Sequence, residues 1–233
     1  MAHKAGVPNI VHIHSGQFDA WLGGAESRRA KKFRSDAVSY NMKFVALSKD
    51  WKSQLEPVLG NVTFINNPLH PKYRTSERPR NTNQLLVLGR NDPVKGHNFA
   101  REVCTVLKQE YPELELVMTG VSEPKQPWEK ALGWVSEQEK MELLSTSTVL
   151  LVPSQYEGQP MVVIEALACG LPVIVSEHLS SLPSQVLRAG PSVQEWCNHV
   201  RSVLSDPVVF EFTSNEHNIS NVSQKWGECY SSL

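Results

Sequence analysis

Short apolar runs alternate along this chain with stretches in which apolar residues recur every three or four positions. That rhythm predicts parallel strands joined by crossover helices. Asn9–His14 is the first expected strand, stopped at Ser15-Gly16. Phe44–Leu47 is the second, and Ser48 after it is placed to cap a helix through Leu59. Val62–Ile65 follows and ends at Asn66-Asn67-Pro68. From about Leu69 to Asn83 the chain is polar and basic, which predicts a linker. The rhythm then restarts with Leu85–Leu88, an unalternating run suited to a strand covered on both faces. Phe99, Val103, Val106 and Leu107 mark one face of a helix starting near Lys95, and Leu114–Thr119 is a strand closed by Gly120. Ser136-Glu137-Gln138-Glu139 matches a capping box for a helix to about Leu144. Thr148–Val152 is a buried strand, Pro160–Ala168 a helix with Gly170 beyond its end, and Pro172–Val175 another strand. Two amphipathic helices follow, one through Val193, Trp196, Val200 and Leu204, the other through Ile219, Val222, Trp226 and Tyr230. The expected architecture is a small N-terminal α/β piece and a fuller C-terminal α/β domain.

Composition narrows the function classes. The 233 residues carry 23 basic and 24 acidic side chains, a formal net charge of −1, unlike the strongly basic domains that bind nucleic acid. No apolar run approaches membrane-spanning length, and residues 1–8 lack the apolar core of a secretory signal. Cys104, Cys169, Cys197 and Cys229 are far from any CxxC spacing and read as buried apolar residues in a reducing compartment. The expectation is a cytoplasmic protein.

In open parallel sheets ligands bind beyond the carboxyl ends of the strands, and unusual residues stand there. Gly89-Arg90-Asn91-Asp92-Pro93-Val94-Lys95-Gly96 joins a strand to a helix. Gly89 permits close approach, while Arg90 and Lys95 offer a fork and a point charge suited to a diphosphate. The same octapeptide also reads as a βα loop with solvated charges, since neither a Walker A nor a G-x-G-x-x-G sequence is present. Glu157 precedes the Gly158-Gln159-Pro160 turn, and Glu165 stands in an otherwise apolar helix, where a carboxylate needs a partner. His12 and His14 share a face of their strand by alternation, with His14 nearer its carboxyl end.

Gly89-Arg90 with Lys95-Gly96, then Gly133-Trp134-Val135, Pro153-Ser154, Glu157-Gly158 with Pro160, Glu165-Ala166, and Gly170 with Pro172-Val173 together resemble family 4 glycosyltransferases of GT-B fold, including that family's E-x7-E spacing. The resemblance implies that Gly89, Arg90 and Lys95 grip the diphosphate of a nucleotide-sugar donor. It implies that Glu157, Gly158, Gln159, Pro160 and Met161 hold the donor sugar, and that Glu165 binds the ribose. Trp134 and Val135 correspond to the stretch that meets the base. His14 matches the family's active-site histidine, so that His14 and Glu157 are the implied catalytic residues. Ser48 with Trp51, and Asn66-Asn67-Pro68, fit the family's late N-domain segments. Gly23-Gly24 reads as an ordinary turn, because the distance from His14 to Ser48 leaves no role for it at the phosphates.

The fold class expected on this basis is α/β and GT-B-like: a near-complete C-terminal Rossmann-like domain over 79–207, a partial N-terminal α/β domain over 1–78, and a C-terminal helix over 208–233 crossing back to the N-terminal piece. The family's first strands have no counterpart before Asn9. The implied function is a retaining hexosyltransferase acting with a nucleotide-diphosphate sugar and a glycan or lipid-linked acceptor, in polysaccharide biosynthesis. No cofactor and no metal are expected, since no carboxylate pair suited to Mg²⁺ stands beside Arg90 and Lys95. No nucleic acid is expected as a partner, while peripheral contact with the inner face of the membrane and a partner chain supplying an N-domain are compatible with the reading. The alternatives are a non-catalytic or half-enzyme nucleotide-sugar-binding subunit and a GT-B epimerase.

Overall fold

A three-stranded parallel sheet opens the chain, with β1 (Asn9–His12), β2 (Met42–Ala46) and β3 (Val62–Phe64) in that order. The computed structural model describes residues 7–76, 79–81, 83–206, 212 and 215–233. The strand β2 shows why an unalternating apolar run was needed. Phe44 and Ala46 face a core with Ile13, Trp51, Leu55 and Val62, whereas Val45 faces Ile10, Ile65, Val222, Trp226 and Cys229. Both faces are therefore covered, one by α3 (Lys49–Leu59) and the other by the last helix, α8 (Ile219–Ser231). At the start of α3 the Ser48 hydroxyl accepts from the Trp51 amide at 3.1 Å, the expected cap. The start of α8 is tied to the chain after β3: the Leu69 amide donates to the His217 carbonyl at 2.7 Å, and the buried His217 ring donates through Nδ1 to the Asn67 carbonyl at 2.8 Å.

Between β1 and β2 the sequence pattern gave only the Gly23-Gly24 turn. The structure adds α1 (Phe18–Leu22) and α2 (Arg28–Ser39), with Gly23 as a left-handed cap between them. Only Ala30 of α2 is buried, so its apolar stripe is too thin to stand out among its Arg and Lys residues.

The second sheet is six-stranded and entirely parallel, in the order β6-β5-β4-β7-β8-β9. Its strands are β4 (Gln84–Val87), β5 (Glu115–Met118), β6 (Glu129–Ala131), β7 (Val149–Val152), β8 (Val173–Ser176) and β9 (Leu187–Ala189). The order reverses between β4 and β7, which makes their carboxyl ends the switch point where such sheets bind ligands. Every residue of β4 and β7 is buried. One face packs on α4 (His97–Leu107) and α7 (Val193–Ser205) around the buried Trp196. The remaining helices, α5 (Glu137–Thr146) and α6 (Met161–Ala168), follow β6 and β7. The Ser136 and Glu139 capping box forms in both directions, at 3.2 and 2.7 Å.

One strand end and two helix starts shift here: the strand expected over Asn9–His14 ends at His12, so His14 lies in the loop beyond it. The helix placed near Lys95 begins at His97, because a 3-10 turn over Pro93–Lys95, capped by Asp92, ends at Gly96 in the left-handed region. The helix placed at Pro160 begins at Met161. The short strands β6 and β9 had no apolar run to announce them.

By internal packing the chain divides into two units: Met1–His70 with Tyr156–Pro160 and Ser214–Leu233, and Pro71–Gln155 with Met161–Thr213. The boundaries drawn from sequence at 78 and at 207–208 lie outside the described residues.

Candidate functional site

In the first unit the chain leaving β1 meets the loop around Glu157 backbone to backbone. A β-carbon on Gly16 would overlap the Glu157 carbonyl, and one on Gly158 would overlap the His14 carbonyl. Neither glycine has a positive φ, so what excludes a side chain is close approach. Side chains complete the junction: Trp51 Nε1 donates to the Gly158 carbonyl at 2.9 Å, and the buried Gln159 amide donates to the Leu47 carbonyl at 3.1 Å and accepts from the Asn67 amide at 3.0 Å. Glu157 and Gly158 are half-buried, and Gln159 and Pro160 are buried.

His14, exposed, shares this loop cluster. Its Nε2 lies 3.0 Å from Nδ1 of His12, with ring centroids 4.1 Å apart. Trp226 of α8 meets the His12 ring edge-on at 5.0 Å. Burial first, and the neighbouring His14 second, push the His12 ring down to about 4. At neutral pH His12 is therefore an uncharged partner to His14. The two rings meet as the alternation suggests, although β1 ends at His12 and His14 stands in the loop beyond it.

In the second unit the loop after β4 gathers Gly89, Arg90 and Lys95. Thr119 Oγ1 accepts from the Gly89 amide at 3.0 Å. A β-carbon on Gly89 would lie 3.3 Å from Cγ of Lys95, whose stem thus crosses the end of the strand. Arg90 does not stand alone: Asp92 takes its Nε and its Nη2, both at 3.1 Å. The Val94 amide also donates to Asp92, and this bond, ahead of Arg90 and Lys95, holds the carboxyl below its usual range. Asp92 is the part of this cationic loop that the sequence motif did not assign. Two further ties fix the loop at the switch point. The Gln155 amide donates to the Val94 carbonyl at 2.9 Å, and Gly96, at φ 72°, has Pro153 where a β-carbon would go.

Glu165 lies on α6 with only 7% of its surface exposed. Its Oε1 is 3.1 Å from Lys140 Nζ of α5, while its Oε2 is buried with no hydrogen-bond partner. Lys140 also pairs with Glu137 at 3.1 Å and lies 5.1 Å from the Tyr73 ring centroid. Tyr73 donates its hydroxyl to Glu137, and Lys72 reaches the same carboxylate at 3.0 Å. These donors, Tyr73 foremost, hold the Glu137 carboxyl down at about 2, while burial keeps the Tyr73 phenol protonated. Neither Lys140 nor Tyr73 was a candidate from sequence, because nothing in the local pattern couples α5 or residue 73 to α6. Trp134 and Val135 follow β6, with Trp134 84% exposed and Val135 half-buried. Met161 opens α6 and is half-buried.

A cleft of about 1060 Å³ also opens at the carboxyl end of this sheet, lined by residues that include Asp92, His97, Gly120, Ser154, Glu177 and Trp196. It takes in Asn91, Asp92, Pro93 and Gly96 of the loop after β4, but Arg90, Lys95, Trp134 and Glu165 are not among its walls. The cleft and the motif residues Arg90, Lys95 and Glu165 thus mark different parts of the second unit. The charged residues carry more chemical information, because a void alone specifies no ligand. Among the described residues no three His, Cys, Asp or Glu side chains gather to hold a metal ion, and no helix is long and apolar enough to cross a membrane.

Comparison with known proteins places this geometry. Glycogen synthase of Mycobacterium tuberculosis is 26% identical over 231 residues, covering 86% of this chain and 55% of the relative. The chain therefore spans about half the length of that relative. The crystal structure of Anabaena HepE in complex with UDP and glucose superposes with a TM-score of 0.77 at 15% identity, covering 100% of this chain and 74% of that one. Sucrose-phosphate synthase from Thermosynechococcus elongatus gives 0.73 at 19% identity, covering 96% and 67%. These structures establish the shared GT-B fold. The family model for glycosyl transferases group 1 matches residues 71–226, most of the chain and all of the second sheet with its charged loop, and the chain belongs to that family.

Proposed function

We propose that this chain binds a nucleotide-diphosphate sugar and serves glycosyl transfer from it to a glycan or lipid-linked acceptor. The observation that carries the reading is the loop Gly89–Lys95, whose two cations are fixed at the β4/β7 switch point. Arg90 and Lys95 would neutralise charge developing on the leaving diphosphate, the electrostatic contribution on which such transfer depends. Glu165 would accept from the ribose, and Trp134 and Val135 would border the base. In the first unit, His14 and Glu157 would orient the donor sugar, with the amides from Gly158 onward as donors. Retention follows if the acceptor oxygen bonds to the anomeric carbon on the face that the diphosphate leaves, its proton passing to a diphosphate oxygen. Glu157 then orients and does not attack. UDP is the first nucleotide to test, since HepE is crystallised with it.

Calorimetric titration with UDP, GDP and ADP tests this directly. One nucleotide is expected to bind saturably, and Arg90→Ala and Glu165→Ala are each expected to weaken it about 10-fold or more, as for hydrogen bonds to charged groups. A folded, monodisperse sample that binds none of the three would overturn the reading.

The coverage of glycogen synthase, 55% of its length, supports a second reading. In it this chain binds donor and turnover requires residues beyond it. Nucleotide release from a nucleotide sugar by the chain alone, with an acceptor present, separates the two.

A further inference from the structure

Two buried carboxylates of the second unit differ in one respect that bears on function. Glu129, on the edge strand β6, is saturated: Arg101 Nε reaches both oxygens at 3.0 and 3.1 Å, and the Lys125 amide donates to Oε2 at 2.8 Å. Its side chain is wholly enclosed. Glu165 has one oxygen on Lys140, the other enclosed without a partner, and a side chain one-tenth exposed. A carboxylate kept for packing alone would close both oxygens as Glu129 does, because an unmet buried acceptor is destabilising.

We propose that Lys140 is a positioning residue for nucleotide recognition, holding Glu165 by Oε1 so that Oε2 accepts from a ribose hydroxyl. The proposal rests on the nucleotide-site reading above. Lys140 is suited to this because its ammonium is fixed from three sides, by Glu165, Glu137 and the face of Tyr73. Glu137 is anchored in turn by Tyr73 and Lys72, so its position does not depend on Lys140 alone. The Tyr73 hydroxyl donates to Glu137, and among the described residues no group meets Oε2 of Glu165 within hydrogen-bond geometry. Without Lys140 the Glu165 carboxylate would lose the charged tether that holds its Oε1. The ribose bond would weaken while the diphosphate grip of Arg90 and Lys95 remained.

The test uses the full chain and whichever of UDP, GDP and ADP binds, with the 2′-deoxy and 3′-deoxy forms of that nucleotide. Wild type should prefer the ribonucleotide over at least one deoxy form by about 10-fold, the scale of a hydrogen bond to a charged group. Glu165→Ala should abolish that preference. Lys140→Met should reduce it to below about twofold while the deoxy form binds as it does to wild type, since only the tethered bond is lost. Lys140→Gln, which fills the space without the charge, is read in the same way should the Met variant not fold. Equal weakening of all forms by the Lys140 variants, or no change, overturns the positioning role and leaves the ribose role of Glu165 standing. A wild type that binds without any preference, or binds no nucleotide, overturns both.

Discussion

The two units arrange their candidate residues by different means. In the first, the geometry is backbone against backbone: Gly16 and Gly158 let the chain after β1 and the loop around Glu157 touch, and His14 is carried by that contact. In the second, the groups are charged side chains, each steered by another side chain: Arg90 by Asp92, Glu165 by Lys140, Lys140 by Glu137. A backbone junction tolerates almost no added atom, whereas a side-chain network tolerates substitution but changes its charge balance. The first unit should therefore answer mutation through stability, and its counterpart through ligand affinity. The exception within the second unit is the Arg101–Glu129 pair, whose carboxylate is enclosed with both oxygens met.

That exception gives the largest expected effect. Arg101→Met strands the Glu129 carboxylate, whose side chain has no exposure, and should cost about 3–5 kcal/mol. At this chain length that is a fall in Tm of about 10 °C by thermal unfolding. The double variant Arg101→Met with Glu129→Met should recover part of the loss, because no buried charge is then left alone.

Gly158→Ala comes next and tests the junction. The new methyl has no space beside the His14 carbonyl, a backbone atom that can yield only if the β1 end moves. Overpacking of this kind costs about 1–3 kcal/mol. A Tm within 1 °C of wild type would show that the two segments do not meet as described.

Much of this was legible in the sequence, and the parts that were not share a cause. Leu85–Leu88 and Thr148–Val152 announced β4 and β7 because a strand buried on both faces must be apolar throughout. Ser48 and the Ser136–Glu139 box announced two helices, because capping is local chemistry. The cationic loop was legible for the same reason, being one contiguous octapeptide. Lys140 and Tyr73 were not, since they reach Glu165 only through the packing of α5 and of the chain after His70. Edge strands such as β6, with the sequence Glu-Lys-Ala, depend on a neighbouring strand for their conformation and carry little signal of their own.

The His12–His14 pair sharpens the comparison through pH. The His12 pKa lies at about 4 in the folded chain against an unfolded value of 6.5, so between those limits the unfolded state binds the additional proton. Stability from this group is complete above pH 6.5 and is lost as pH falls toward 4. Burial lowers His97 and His217 in the same direction, so the readout is the difference between wild type and His12→Gln. The variant should show a flatter decline in Tm between pH 6.5 and 4; an identical slope would mean that His12 is not held neutral by its surroundings. His12 is only partly buried, so solvent screening keeps the expected difference to a few degrees.

The smallest expected effect compares two serine caps, one in each unit. Ser136 is exposed, and water can replace its hydroxyl when Ser136→Ala frees the Glu139 amide. The cost should lie near 0.5 kcal/mol, the low end for a lost cap. Ser48 is 6% exposed, and Ser48→Ala leaves the Trp51 amide facing protein, so the cost should approach about 1–2 kcal/mol. The two also differ in reach. Trp51 donates its indole N–H to the Gly158 carbonyl, so a loosened first turn of α3 should disturb the loop that carries Glu157. The indole N–H resonance of Trp51 is expected to shift in Ser48→Ala and to stay in place in Ser136→Ala. Were both variants to leave it unmoved, the backbone junction of the first unit would not depend on its helix cap, and the contrast between the units would narrow to their glycines.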